Sequence, residues 1–194
     1  MTDADARAVL LRVWGAMGLP APTTATLQAV QAVGRFEGFY GDATKPEGWA
    51  GSNNWGAIQC GHPPPCGDDC FEAGDHHANG TPYVTCFRRY ASPDDGARAL
   101  VNELWRRPSV RAALPTGDLT LVARTMRNTG YHETAVGRYA GGLYRNAQAL
   151  ASGIGEALSV HLEEQGLDLV ELAVLAFSAW GLWKTFGTRR KVRR

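Results

Sequence analysis

The stretch G-R-F-E-G-F-Y-G-D-A-T-K-P-E-G-W-A-G-S-N-N-W-G-A-I-Q, residues 34–59, decides how the chain is read. It closes an apolar helical run with one acidic residue, Glu37, crowded by Phe36, Phe39 and Tyr40. A glycine-rich loop carrying Trp49 and Trp55 follows. Desolvation among aromatic rings disfavours a charged carboxylate and raises its pKa. At the C-terminal end of a helix the acid also gains nothing from the favourable N-terminal dipole. A carboxyl group kept protonated near neutrality is what a general acid requires.

On the N-terminal side, Leu27, Val30, Val33 and Phe36 recur at helical spacing, with Thr24 or Thr26 available as a cap. An earlier helix spans Asp5 to Met17, with Ala8, Leu10, Leu11, Trp14 and Met17 as its apolar positions, and Gly18-Leu19-Pro20-Ala21-Pro22 ends it. On the C-terminal side, residues 42–82 are rich in glycine and proline and read as a loop-rich lobe. Short strands are expected at Trp55–Cys60 and Tyr83–Tyr90, with Asn79-Gly80 as a hairpin turn. Ser92-Pro93-Asp94-Asp95 opens a helix to about Arg106. A short piece at Pro108–Ala113, a helix from Asp118 or Thr120 to Asn128, and one from Val136 to Leu150 complete the domain. The class is α+β and mainly helical, with a small β/loop lobe inserted after the second helix.

A chain of 194 residues, 44% hydrophobic and 20% charged, holds one domain of ordinary size plus an appendage. Its net charge of +1 points to no polyanionic partner, and no nucleic acid is expected; yet five of the last six residues are basic (Arg189, Arg190, Lys191, Arg193, Arg194). The N-terminus carries two aspartates and no basic region, unlike a signal peptide. Four cysteines, Cys60, Cys66, Cys70 and Cys86, cluster in the lobe beside His62, His76 and His77. A zinc knot usually includes a tight Cys-x2-Cys pair, which is missing, so two disulfides are favoured, with three pairings open. His76-His77 then reads as a solvated turn.

Four segments in order resemble the glucosaminidase family of peptidoglycan hydrolases, the flagellar-rod and autolysin type of glycoside hydrolase family 73. Phe36-Glu37-Gly38-Phe39-Tyr40-Gly41 is similar to the family's Glu-x-Gly-x-Gly region. Ser52-Asn53-Asn54-Trp55-Gly56-Ala57-Ile58-Gln59 is similar to its Asn-Leu-Phe-Gly-Ile-Lys segment. Cys86-Phe87-Arg88-Arg89-Tyr90-Ala91-Ser92 resembles Phe-Arg-x-Tyr-x-Ser, and Gly130-Tyr131-His132-Glu133 with Tyr139-Ala140 resembles Gly-Tyr-Ala-Thr-Asp followed by Tyr-Ala. The insert between Asn54 and Phe87 does not align, and the family's Asp after Gly-Tyr is here a displaced Glu133.

The resemblance implies a lysozyme-like fold over residues 1–150 and cleavage of the β-1,4 glycan of peptidoglycan, with Glu37 protonating the leaving oxygen. Tyr131 would face Glu37 across the groove. Inversion needs a second carboxylate on the opposite sugar face; Glu72 is chosen from Glu72, Asp75, Asp42 and Glu47. Trp49, Trp55, Tyr83 and Tyr40 would contact sugar and Asn54 would position it. No cofactor or metal is implied. A muramidase, a lytic transglycosylase and a non-catalytic wall-binding module share these features. A zinc-dependent binding protein would lean instead on the cysteines and the basic tail.

Beyond Leu150, Ser152-Gly153-Ile154-Gly155 reads as the start of a linker over residues 151–165. Leu167–Phe186 then forms a hydrophobic helix in a 166–194 appendage. Trp180 and Trp183 before a basic tail resemble an interfacial belt with a positive-inside flank, so this segment is expected to meet a membrane with the catalytic domain outside the cytoplasm. Packing of that helix on the domain is the plainer alternative.

Overall fold

The computed structural model describes residues 1–41, 49–77 and 79–164. Met1–Leu150 form one compact unit and Ala151–Arg194 a second. Residues 151–164 of the second are helical. The expected segment Leu167–Phe186 and the basic tail lie outside the described residues, as do Asp42 and Glu47. Among the described residues no helix is long and apolar enough to cross a membrane.

Helix α1, Asp3–Ala16, begins with a capping box: Thr2 accepts from the Asp5 N–H, and the Asp5 carboxylate accepts from the Thr2 N–H. It buries Ala6, Val9, Leu10, Val13 and Trp14. The buried stripe is thus rotated from the one expected, and Ala8 and Leu11 face solvent. Helix α2, Thr24–Gly38, is capped by Thr23, which accepts from the Thr26 N–H; neither Thr24 nor Thr26 is the cap. It ends where Phe39 (φ 47°) and Tyr40 (φ 59°) enter the left-handed region, so the helix cannot continue past Gly38.

Helices α3 (Pro93–Trp105) and α5 (Leu119–Asn128) start at the capping side chains of Ser92 and Asp118, and α4 (Pro108–Ala113) starts with Pro108 in its first turn. Helix α6 runs Val136–Glu164. The expected break at Ser152–Gly155 is absent, because two glycines weaken a helix without ending it. Trp14 and Trp105 meet edge to face at 5.2 Å between helices α1 and α3. Leu100, Leu104, Met126 and Leu143 fill the centre of the core.

The loop after residue 49 threads between helices α2 and α3, at two glycines. A Cβ on Gly38 would lie 2.1 Å from the Asn54 carbonyl oxygen, and one on Gly96 would lie 1.7 Å from that of Asn53. Asn54 is buried and locks the loop. Its side-chain nitrogen donates to the Ile58 and Arg88 carbonyls, and its oxygen accepts from the Ile58 N–H.

The lobe is a two-stranded antiparallel hairpin, β1 (Cys70–His76) and β2 (Pro82–Arg88), in register from Cys70 opposite Arg88 to His76 opposite Pro82. The turn falls at Asn79-Gly80 as expected, with Gly80 at φ 84°. The strand expected at Trp55–Cys60 is reduced to a single bridge between Gln59 and Phe87. The true partner, Cys-Phe-Glu-Ala-Gly-Asp-His, has a weak strand composition. Disulfides Cys60–Cys70 and Cys66–Cys86 tie it in place, choosing one of the three pairings and consuming the thiols a zinc site would need. Trp49, Phe71 and Phe87 form a small aromatic core beneath, with ring centroids 4.8–5.9 Å apart.

These crosslinks close loops of sequence separation 10 and 20, each worth about 2–4 kcal/mol. Reductant is therefore expected to lower the melting temperature seen by scanning calorimetry. Identical transitions with and without dithiothreitol would show that the aromatic cluster alone holds the lobe.

Candidate active site

A cleft of about 500 Å³ lies between the end of helix α2, the hairpin, and the segment from Gly130 to Tyr139. Glu37, the penultimate residue of helix α2, lines it and is half-buried. The preceding Phe36 is anchored edge to face on Tyr139 at 5.0 Å and sits over Gly142, where a Cβ would strike its ring. That anchor turns the next side chain into the opening. The Tyr139 hydroxyl donates to Glu37 Oε1.

Burial first, and then the charge of Glu37, hold the Tyr139 phenol well above its ordinary range, so it remains a donor throughout the working pH range. The His132 ring lies flat on Tyr139, with centroids 3.7 Å apart and planes 9° apart, and its Nε2 is 3.1 Å from the Ala123 carbonyl oxygen. Burial lowers the His132 pKa, which favours the neutral imidazole. Neither Tyr139 nor His132 is among the site residues expected from sequence.

Tyr131 lines the cleft as expected and is raised by burial and then by the Glu37 charge, but its hydroxyl proton is directed to the Gly56 carbonyl at 3.0 Å. What it offers a substrate is its ring edge and its oxygen lone pairs.

On the hairpin, the acid that reaches the cleft is not the one expected. Glu72 is exposed and does not line the cleft; Asp75, three residues on and therefore on the other face, does. Asp75 Oδ2 accepts from Gln59 Nε2 at 3.1 Å and from the Tyr83 hydroxyl at 2.9 Å, and its Oδ1 accepts from the His76 N–H at 2.8 Å. Tyr83 lines the cleft, with His77 stacked on it at 4.3 Å, and burial raises its pKa. The charge of Glu133, another lining residue, also raises it.

At the end of helix α3, Glu103 accepts from Arg106 Nε and Nη2 and pairs with Arg107 Nη1 at 2.6 Å. Burial pushes the Glu103 pKa up, but the arginine hydrogen bonds outweigh it and the group is held below its ordinary value.

Trp49 lines the cleft. Three other expected contacts do not. Trp55 is wholly buried against Tyr40 at 4.9 Å, and Tyr40 is 1% exposed with its hydroxyl donated to Asp3. Asn54 is consumed by its backbone clamp. These residues build the support behind the cleft.

Replacing Tyr139 with Phe removes a donor that favours ionised Glu37 and should raise the pKa of that acid. An acid that must be protonated then stays active to higher pH. The alkaline limb of the activity profile is expected to move up, with the maximal rate falling roughly 10-fold. A lower rate with an unmoved limb would reduce Tyr139 to packing.

No protein-family model and no curated protein sequence matches the chain. Solved structures do. A peptidoglycan hydrolase from Sphingomonas sp. A1 is 18% identical over 80% of this chain and 94% of its own, at a TM-score of 0.55. The glycoside hydrolase domain of FlgJ from Salmonella typhimurium is 18% identical over 86% and 99%, at 0.52. The catalytic domain of the autolysin Auto from Listeria monocytogenes is 11% identical over 77% and 82%, at 0.50. The protein has the fold of these hydrolases, a mainly helical lysozyme-like body with a small two-stranded lobe.

Proposed function

We propose that the protein is a glycosidase that cuts the β-1,4 glycan backbone of peptidoglycan, of the N-acetylglucosaminidase type, with Glu37 as general acid. The observation that carries this reading is Glu37 at the cleft, oriented by Tyr139, with a second carboxylate, Asp75, on the opposing hairpin. The similar folds, whose described activities are peptidoglycan and glycoside hydrolysis, support the same substrate class.

In this reading Glu37 donates its proton to the glycosidic oxygen as the bond to the anomeric carbon breaks. Asp75, fixed by Gln59, Tyr83 and the His76 N–H, takes the role first given to Glu72: it accepts a proton from the water that attacks the opposite face. Trp49 and Tyr83 offer aromatic faces to sugar C–H groups. Two disulfides suit work outside the reducing cytosol, where the polymer is.

Mass spectrometry of digested peptidoglycan tests this. New reducing-end N-acetylglucosamine supports the proposal. Reducing-end N-acetylmuramic acid makes the enzyme a muramidase, anhydro ends make it a transglycosylase, and an intact polymer removes the enzymatic reading.

A further inference from the structure

The charged residues lining the cleft are mostly acids: Glu37, Asp75, Glu103 and Glu133. Arg107 is the single lysine or arginine among the described lining residues. Its side chain is only 11% exposed. Every hydrogen bond it makes among the described residues leaves from Nη1, to the Glu103 carboxylate and carbonyl. Among the described residues Nε and Nη2 have no protein acceptor, and neither is sealed away from solvent.

A guanidinium this enclosed normally has its donors satisfied, because desolvating an unpaired N–H is costly. Here two nitrogens of a planar fork are left open at a cleft. Glu103 is shared between Arg107 and the exposed Arg106, so its charge is not spent on Arg107 alone. The central carbon of the guanidinium also lies 5.4 Å from the centre of the Tyr131 ring. Tyr131 lines the same cleft as Glu37 and Arg107.

We propose that Arg107 forms a carboxylate subsite, through which the cleft selects an acid-bearing glycan over a neutral one of the same linkage. The inference rests on the glycosidase reading and adds what that reading lacks, a basis for choosing among β-1,4 glycans. The geometry suits two N–H groups on a carboxylate, a match that a lysine cannot reproduce. In peptidoglycan such an acid comes from the stem peptide or, on strands stripped of peptide, from the lactyl carboxylate that the peptide otherwise holds as an amide; chitin has neither. Seating the acid at this wall also fixes which of two alternating sugars lies beside Glu37.

The test is a two-by-two cycle: wild type and Arg107→Gln, each on native peptidoglycan and on the same polymer with its carboxylates converted to amides. Either change alone is expected to lower kcat/KM by about 10- to 100-fold, and both together by little more than one. Multiplying losses would overturn the subsite, as would a wild type indifferent to amidation. That second comparison needs no variant, so it decides the matter even if Arg107→Gln fails to fold. Arg107→Lys should restore only part of the loss.

Amidase-stripped polymer separates the sources, because stripping removes the peptide acids and frees the lactyl carboxylate: sensitivity to amidation and to Arg107 on the unstripped polymer alone points to the peptide, and sensitivity that appears only after stripping points to the lactyl acid. A wild type that cleaves neither the native nor the amidated polymer sinks the glycosidase reading and the subsite together. Cleavage without discrimination sinks the subsite alone.

Discussion

Glu37→Gln is expected to slow glycan cleavage by about 10²- to 10⁴-fold, the span associated with a positioned proton donor. The substitution keeps the shape of the side chain and replaces an acid with an amide that has no transferable proton at working pH. Its carbonyl oxygen still accepts from Tyr139, whose burial keeps the phenol protonated. The thermal transition should therefore stay close to that of the parent, which separates a lost proton from a lost fold. Turbidity clearance of cell walls reads the rate and calorimetry reads the fold. Equal clearance by both proteins would end the assignment of Glu37, and with it the roles given to Tyr139 and Asp75.

The largest expected effect on stability comes from a single methyl group. Gly96→Ala places a Cβ 1.7 Å from the Asn53 carbonyl oxygen and 2.9 Å from the Trp55 ring. Gly38→Ala places one 2.1 Å from the Asn54 oxygen. In both cases the obstacle is backbone, which cannot swing aside as a side-chain end would. The loop is pinned from the far side by the Asn54 hydrogen bonds, so relief requires moving either a helix or the clamp. Each variant is expected to lose about 3 kcal/mol, the upper end of the range for overpacking. Urea denaturation measures this as a lower midpoint at unchanged slope. Gly38→Ala should also depress activity beyond its stability loss, because the neighbouring residue is Glu37. A midpoint within error of the parent for both variants would mean that the loop does not press on the two helices at these glycines.

Local signals carried much of the architecture. Ser92-Pro93-Asp94-Asp95, Asp118 and Asn79-Gly80 act within a few residues of themselves, and they mark elements where they were expected. Glu37 and Tyr131 were legible as cleft residues because short motifs surround them.

The misreadings have a common physical origin. An aromatic ring or an amide has the same chemistry whether it meets a sugar or a protein interior, so Trp55, Tyr40 and Asn54 could not be told from groove residues by type. Glu72 and Asp75 differ by strand parity, which is undefined until the strand itself is recognised. Tyr139 reads as one more apolar position on a helix; only the closed fold brings it to an acid 102 residues away. Arg107 follows Arg106 in sequence, and only their exposures, 11% against 62%, set their purposes apart.

The Asn54 amide grips the main chain at Ile58 and again at Arg88, where the lobe leaves the helical body and returns to it. Both roots of the hairpin are thus soldered to one side chain. A change in the segment between them is thereby buffered from the helix that carries Glu37. The protein is built like a tool with an interchangeable head, and grafting in the laboratory is directed to residues 59–87.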